Sequence, residues 1–245
     1  SSKFGDKLIN HKTWVIVGDG CLMEGISQEA ISLAGHLNLN NLIVFFDNNG
    51  ISIDGSTNLT CSDDQTQRFK ASKWATIEID GHNYKQIDKA IKMAIKSKKP
   101  TFISCKTIIG YGSPNKSGKS SCHGSPLGKS ESEITKKKLG WEYAPFEIPK
   151  KILSKWRNVS RNGTKSRLNW EKNLDKSELK NAFLNQFNKK LFSRNSKTNN
   201  FLKNLVKANL SEATRKSSQN ALELFLSQNN NLLGGSADLT GSNLT

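Results

Sequence analysis

The sequence predicts an α/β fold built on a parallel sheet with helices on both faces. Two observations carry this. Short apolar, β-branched runs alternate with longer segments whose apolar residues recur at three and four. Each run also stops abruptly at Gly, Asp or Asn, as buried parallel strands do at their carboxyl ends.

Thr13-Trp14-Val15-Ile16-Val17 is the first strand, closed by Gly18-Asp19-Gly20. Across residues 24–37, Ile26, Ala30, Ile31, Ala34 and Leu37 line one face of an amphipathic helix. Leu42-Ile43-Val44-Phe45-Phe46 is the second strand, ended by Asp47-Asn48-Asn49-Gly50. Strand, helix and strand of these lengths form a right-handed βαβ unit. Ala75-Thr76-Ile77-Glu78-Ile79 and Thr101-Phe102-Ile103-Ser104-Cys105 are further strands, flanking a helix over residues 84–97 with Ile87, Ala90, Ile91 and Ile95 on one side. A long Gly/Ser/Pro/Lys loop over residues 110–128 follows, of a length that is functional or mobile inside a compact domain. A helix over residues 131–139 comes next.

Beyond this the composition changes. Residues 148–200 are polar, lysine-rich and mainly helical, a connector more than a second core. A helix is expected over residues 211–227, then a strand and turn over 232–238 with nothing after it to pack on. Three regions result: 1–147, truncated at its N-terminus; the connector 148–200; and 201–245, the start of a second α/β domain cut near its beginning. The start at Ser1, without Met or an apolar signal core, reads as a cut into a longer chain.

Bulk properties narrow the function. No apolar run approaches a bilayer span, so a soluble, cytoplasmic protein is expected. Cys21, Cys61, Cys105 and Cys122 are scattered without a CxxC pair, which favours free thiols over a disulfide framework. The net charge of +16 is spread among Asn and Ser, as in Lys136-Lys137-Lys138, without interleaved aromatics or a nucleic-acid-binding module. It reads as a solvated basic surface, with neither nucleic acid nor membrane as partner.

Gly18-Asp19-Gly20 and Asn48-Asn49 each lie just past the carboxyl end of a strand, where open α/β sheets place ligands. Asp19 offers a carboxylate and Asn49 an amide oxygen, hard ligands suited to Mg²⁺, which completes its octahedron with phosphate and water. Gly20 leaves room for a diphosphate, and the following helix offers unpaired N–H groups to an anion. Asp-Gly and Asn-Gly pairs are ordinary turn residues taken singly. Their joint placement on two adjacent strand ends predicts a diphosphate–metal site.

These strings resemble the transketolase family. Gly18-Asp19-Gly20-Cys21-Leu22-Met23-Glu24-Gly25-Ile26-Ser27 is similar to the first half of its thiamine-diphosphate motif, and Asp47-Asn48-Asn49-Gly50-Ile51-Ser52-Ile53-Asp54-Gly55 to the second. Gly110-Tyr111-Gly112-Ser113-Pro114-Asn115-Lys116, His123-Gly124-Ser125-Pro126-Leu127-Gly128, Arg215-Lys216-Ser217-Ser218-Gln219-Asn220 and Gly234-Gly235-Ser236-Ala237-Asp238-Leu239 continue the likeness. The resemblance implies a diphosphate-binding domain followed by the beginning of a pyrimidine-binding domain. It implies reversible transfer of a two-carbon ketol unit from a ketose phosphate to an aldose phosphate, in the pentose phosphate pathway, with thiamine diphosphate and Mg²⁺ or another divalent ion such as Ca²⁺.

By the same resemblance, Asp19, the Asn49 side chain and the Ile51 carbonyl bind the metal, and Gly20 touches the diphosphate. Glu24 belongs to a carboxylate network at a homodimer interface. His123 lies over the cofactor near the substrate. Arg215 and Ser242 hold the sugar phosphate, and Asp238 approaches the cofactor from the partner subunit. Gln28 stands where the family commonly has His, Asn48 where Asp is common, and Thr240-Gly241 replaces a frequent Ala-Pro. His11, His36 and His82 are read as structural. A cofactor-contacting loop upstream and a glutamate downstream are expected outside these residues, so the isolated chain is expected to be inactive. Dihydroxyacetone synthase, deoxyxylulose-phosphate synthase or a non-catalytic basic binding module are the alternatives.

Overall fold

A computed structural model describes residues 3–188, 195–209, 211–228, 231–236 and 238–245. Ser1-Ser2, part of the expected connector and Ala237 lie outside the described residues. The chain divides into two compact units, Ser1–Arg167 and Leu168–Thr245.

The first unit is organised by a four-stranded sheet in the order β1-β2-β6-β5, formed by β1 (Thr13–Gly18), β2 (Leu42–Asn48), β6 (Thr101–Lys106) and β5 (Ala75–Asp80). All its pairings are parallel. The four strands fall where the apolar runs predict them. β2 and β6 are central, and their alternation serves two cores.

On one face Val44 and Phe46 of β2 meet Phe102 of β6, together with Leu22, Ile31, Ala34, Phe69 and Trp74. Leu22 comes from α1 (Asp19–Met23), Ile31 and Ala34 from α2 (Gly25–His36), and Phe69 from α3 (Gln65–Ala71). Phe69 stacks on Phe102 at 3.8 Å between centroids and meets the edge of Trp74 at 4.9 Å. The indole N–H of Trp74 donates to the Ile31 carbonyl at 2.9 Å, so this large ring is buried without an unpaired donor. On the other face Ile43, Ile103 and Cys105 pack on Ala90 and Ala94 of α4 (Tyr84–Lys96), with Phe45, Ile77 and Ile79 beside them. Helices therefore cover both faces. β1 is an edge strand: Trp14 stacks on Phe45 at 5.9 Å, while Ile16 is exposed.

Side-chain capping explains two of the helix starts. The Asn83 side chain accepts from the backbone N–H of Lys85 and Gln86, opening α4. Asp64 accepts from Gln67 N at 3.0 Å, opening α3. Each such cap contributes about 1 kcal/mol. α2 matches the helix expected over residues 24–37; the five-residue α1 before it was not expected, and extended backbone at Glu24 (φ −68, ψ 135) separates the two. A two-stranded hairpin follows β2, with β3 (Ile51–Ser52) antiparallel to β4 (Gly55–Ser56). α5 (Lys129–Lys138) matches the helix expected there.

α6 (Lys150–Asp175) and α7 (Lys180–Asn188) occupy much of the expected connector. In the second unit Trp170 packs edge-on to Phe183, and Leu174 and Phe183 are buried. Asn195 caps α8 (Ser196–Ala208) and its amide donates to the Gln228 side chain at the end of α9 (Thr214–Gln228). α9 matches the helix expected over residues 211–227. The strand expected over 232–238 is not formed among the described residues, where the unit's regular structure is helical and ends in α10 (Thr240–Asn243). An extended run becomes a strand only when a neighbouring edge takes up its N–H and C=O groups, and the described residues of this unit offer none.

Candidate metal and diphosphate site

The site follows from the parallel register. Gly18, the last residue of β1, pairs with Asp47 on β2, so Asp19 and Asn49 emerge side by side past adjacent strand ends. Gly50 has φ 70, a left-handed conformation that favours glycine, and its N–H donates to the Asp19 carboxylate. Asn49 Oδ1 accepts from Ile51 N at 2.9 Å, and Asn49 Nδ2 donates to Asp47 Oδ2 at 3.1 Å. The other Asp47 oxygen accepts from the Thr107 hydroxyl, just past the end of β6. Asp19, Asn49 and Ile51 thus lie together past the ends of β1 and β2.

Asp19 Oδ2 is buried and has no hydrogen-bond partner. Burial pushes the Asp19 carboxyl above its ordinary range; the Gly50 N–H opposes this, the Asp47 carboxylate adds to it, and Lys106 opposes it. An orphaned carboxylate oxygen beside an amide oxygen is a poor arrangement unless something positive completes it. Among the described residues no three His, Cys, Asp or Glu side chains gather to hold a metal unaided. The donor set fits Mg²⁺ drawing its remaining ligands from phosphate and water.

Gly20 has an ordinary φ, and a Cβ built there would meet nothing within 4 Å. The fold itself does not require glycine at this position, and the open space there leaves room for a ligand to approach the backbone. The helix expected to follow here is α2, and the short α1 intervenes, so local N–H groups, more than a long helix dipole, are what the position offers. A cleft of about 370 Å³ adjoins Asp19 and Asn48 and is walled by Asp63, Asp64, Gln65 and Glu78. Its carboxylates suit water and cations and would repel a naked diphosphate.

His123 sits exposed on the long loop, its N–H donating to Ser120 O at 2.8 Å. The loop is pinned at its base. Glu131, buried at the start of α5, accepts from the Ser113 hydroxyl and from Asn115 through its backbone N–H and side chain, each at 2.9 Å. These bonds hold the Glu131 carboxyl down at about 2. Lys116 Nζ donates to Leu127 O at 3.0 Å, closing the loop around His123. His82, read as structural, accepts from Ile108 N at 3.1 Å and stacks on Tyr111, which supports the same loop.

Glu24 is exposed between α1 and α2. Two departures from the family pattern find partners: Gln28 donates to Leu22 O, and Asn48 donates to the Ser104 hydroxyl at 3.3 Å. In the second unit Arg215 is exposed in the first turn of α9, Ser242 is exposed in α10, and Asp238 is exposed with φ 64. Asp47, Thr107 and Glu131 are the residues that sequence reasoning missed. Only the nearness of Asp47 to Asn49 could have signalled any of them.

The family model described as transketolase, thiamine diphosphate binding domain, matches residues 1–196. Among curated relatives, the transketolase of Buchnera aphidicola subsp. Acyrthosiphon pisum is 47% identical over 249 residues, covering 98% of this chain and 37% of the relative. That of Rhodobacter capsulatus is 43% identical over 255 residues, covering 100% and 37%. Among solved structures, Campylobacter jejuni transketolase matches with a TM-score of 0.80 and 33% identity over 98% of this chain and 37% of that one. Pichia stipitis transketolase in complex with sedoheptulose 7-phosphate gives 0.77 and 34% over 95% and 35%. The chain therefore spans a little over a third of the length of the curated relatives it matches. With four-fifths of its residues inside the family match, and with the strand-end site in place, the chain belongs to the transketolase thiamine-diphosphate-binding-domain family.

Proposed function

We propose that this chain supplies the diphosphate–metal half of a transketolase, which moves a two-carbon ketol unit from a ketose phosphate to an aldose phosphate. The observation that carries the reading is the buried, unpartnered oxygen of Asp19 beside the Asn49 amide. Asp19, Asn49 and the Ile51 carbonyl would hold Mg²⁺ or Ca²⁺, and Gly20 would lie against the diphosphate. Thiamine diphosphate, when bound, supplies the chemistry of breaking and remaking the carbon–carbon bond.

The protein's part is orientation and charge. His123, on its pinned loop, hydrogen-bonds substrate oxygens and can move a proton there. Arg215 can donate two parallel hydrogen bonds to a sugar phosphate, with Ser242 beside that phosphate. Glu24 and Asp238 serve a cofactor site shared between two subunits of a cytoplasmic homodimer. The Pichia stipitis enzyme, solved with sedoheptulose 7-phosphate, supports the sugar-phosphate assignment.

The test is calorimetric titration of thiamine diphosphate into the chain with Mg²⁺, for wild type and Asp19→Asn. The variant should bind more weakly by more than the roughly 10–100-fold caused by losing an outer partner. Equal, metal-dependent binding by both proteins would remove Asp19 from the site.

A further inference from the structure

Only the oxygen end of an asparagine amide can ligate a cation; the other end carries two protons. The usefulness of Asn49 therefore depends on which way its amide faces, and two contacts decide this. Ile51 N–H donates to Oδ1 at 2.9 Å, and the Asp47 carboxylate receives Nδ2 at 3.1 Å. An ionised carboxylate accepts only, so it cannot sit opposite the amide oxygen. Asp47 is itself fixed from β6. Thr107 donates its hydroxyl to Asp47 Oδ1 and its backbone N–H to Asn48 O at 3.2 Å. Thr107 is in turn wedged: a Cβ built on Gly81 would lie 2.5 Å from its methyl group.

We propose that Asp47, steadied by Thr107, is a positioning residue that turns the Asn49 amide oxygen toward the divalent cation. Asp47 has both oxygens engaged, one by Thr107 and one by Asn49. It acts through Asn49 and not as a ligand. This is an outer-shell role of the kind that orients metal ligands elsewhere. The inference rests on the metal site proposed above and deepens it.

Two variants separate orientation from charge. In Asp47→Asn the carboxamide oxygen can still face Asn49 Nδ2, because the Thr107 hydroxyl can turn to accept from the new NH₂. In Asp47→Leu no acceptor remains. The probe is Mn²⁺, followed by electron paramagnetic resonance, titrated into the chain with thiamine diphosphate. Asp47→Leu should weaken Mn²⁺ binding about 10–100-fold, Asp47→Asn should retain most of the affinity, and Asp47→Leu should cost nothing further in an Asn49→Ala background.

Equal losses in the two Asp47 variants, or an undiminished loss without the Asn49 amide, would overturn the proposal. A second readout needs no metal. The Asn49 side-chain NH₂ resonances should lose their carboxylate-bonded shift in Asp47→Leu and keep a bonded shift in Asp47→Asn. Unchanged resonances in Asp47→Leu would also overturn the proposal. Wild-type chain that bound Mn²⁺ no better than Asp19→Asn would instead sink the metal site itself, with the amide resonances still deciding what Asp47 does.

Discussion

Truncating Phe69 tests whether the aromatic stack between α3 and the sheet holds the wall of the cleft beside Asp19. Phe69 is 1% exposed and touches two rings, Phe102 at 3.8 Å and Trp74 at 4.9 Å. Removing a buried phenyl group loses its transfer free energy and leaves a cavity, together about 3–5 kcal/mol for Phe→Ala. Phe69→Leu keeps most of the volume and gives up the aromatic geometry, worth roughly 0.5–1.5 kcal/mol per ring pair. Its loss should therefore be about 1–2 kcal/mol, since aliphatic contacts replace part of each pair. Equilibrium urea unfolding, read by tryptophan fluorescence and far-UV circular dichroism, gives both numbers as shifts in midpoint at constant slope. Against a stability of about 5–15 kcal/mol, the alanine variant should be visibly fragile. It should also loosen Asp63, Asp64 and Gln65, which line the cleft at the start of α3. A loss below about 1 kcal/mol for Phe69→Ala, or equal losses for the two variants, would refute the view that this stack anchors α3.

Two further outcomes follow from perturbed groups. Burial, aided by the nearby Asp47 carboxylate, pushes the Cys105 thiol up to about 11, so it stays protonated near neutral pH. Iodoacetamide should therefore label exposed Cys21 and spare Cys105 until urea unfolds the sheet; equal native labelling, read by peptide mass spectrometry, would contradict this. Glu131 has an ordinary value of 4.5 and is held to about 2 by Ser113 and Asn115, so it stabilises the fold above pH 4.5 and that contribution disappears as pH falls toward 2. Glu131→Gln should flatten the acid dependence of the melting temperature across that window, and at neutral pH should expose the 110–128 loop to limited proteolysis. An unchanged acid profile would show that the Glu131 bonds do not hold the loop.

Much of this architecture was legible because the sheet is buried on both sides. Runs such as Leu42-Ile43-Val44-Phe45-Phe46 admit little but a central strand, and α4 announces itself by its apolar face. The hairpin β3–β4 was not legible, since each strand has only two residues and no period can show in so few. α3 was missed because its single buried apolar residue, Phe69, leaves no amphipathic pattern. The short α1 was not legible either, since five residues are too few to show a helical period. At the candidate site Asp19 and Asn49 were legible because each follows a strand end. Their supports were not. Thr107 reaches Asp47 across 60 residues of sequence, and Glu131 gathers a loop up to 18 residues away. Such partners are chosen by sheet order, which no local spacing reports.

The same sheet order explains how the site can exist at all. Without a cation, Asp19 carries an orphaned buried oxygen and feels the repulsion of Asp47, both unfavourable. Nothing local would keep those two carboxylates near each other. What keeps them there is the register, in which Gly18 pairs with Asp47 and Asn48 with Lys106. A one-residue slip of β2 would turn Val44 and Phe46 away from Phe69 and Phe102, and Ile43 away from Ala90 and Ala94. Both cores would be lost together, at a cost far larger than the strain of two nearby acids. The hydrophobic sheet thus holds Asp19, Asn49 and Thr107 in one row past three neighbouring strand ends. In the proposed metal site, a bound cation would offset the very repulsion that the fold tolerates.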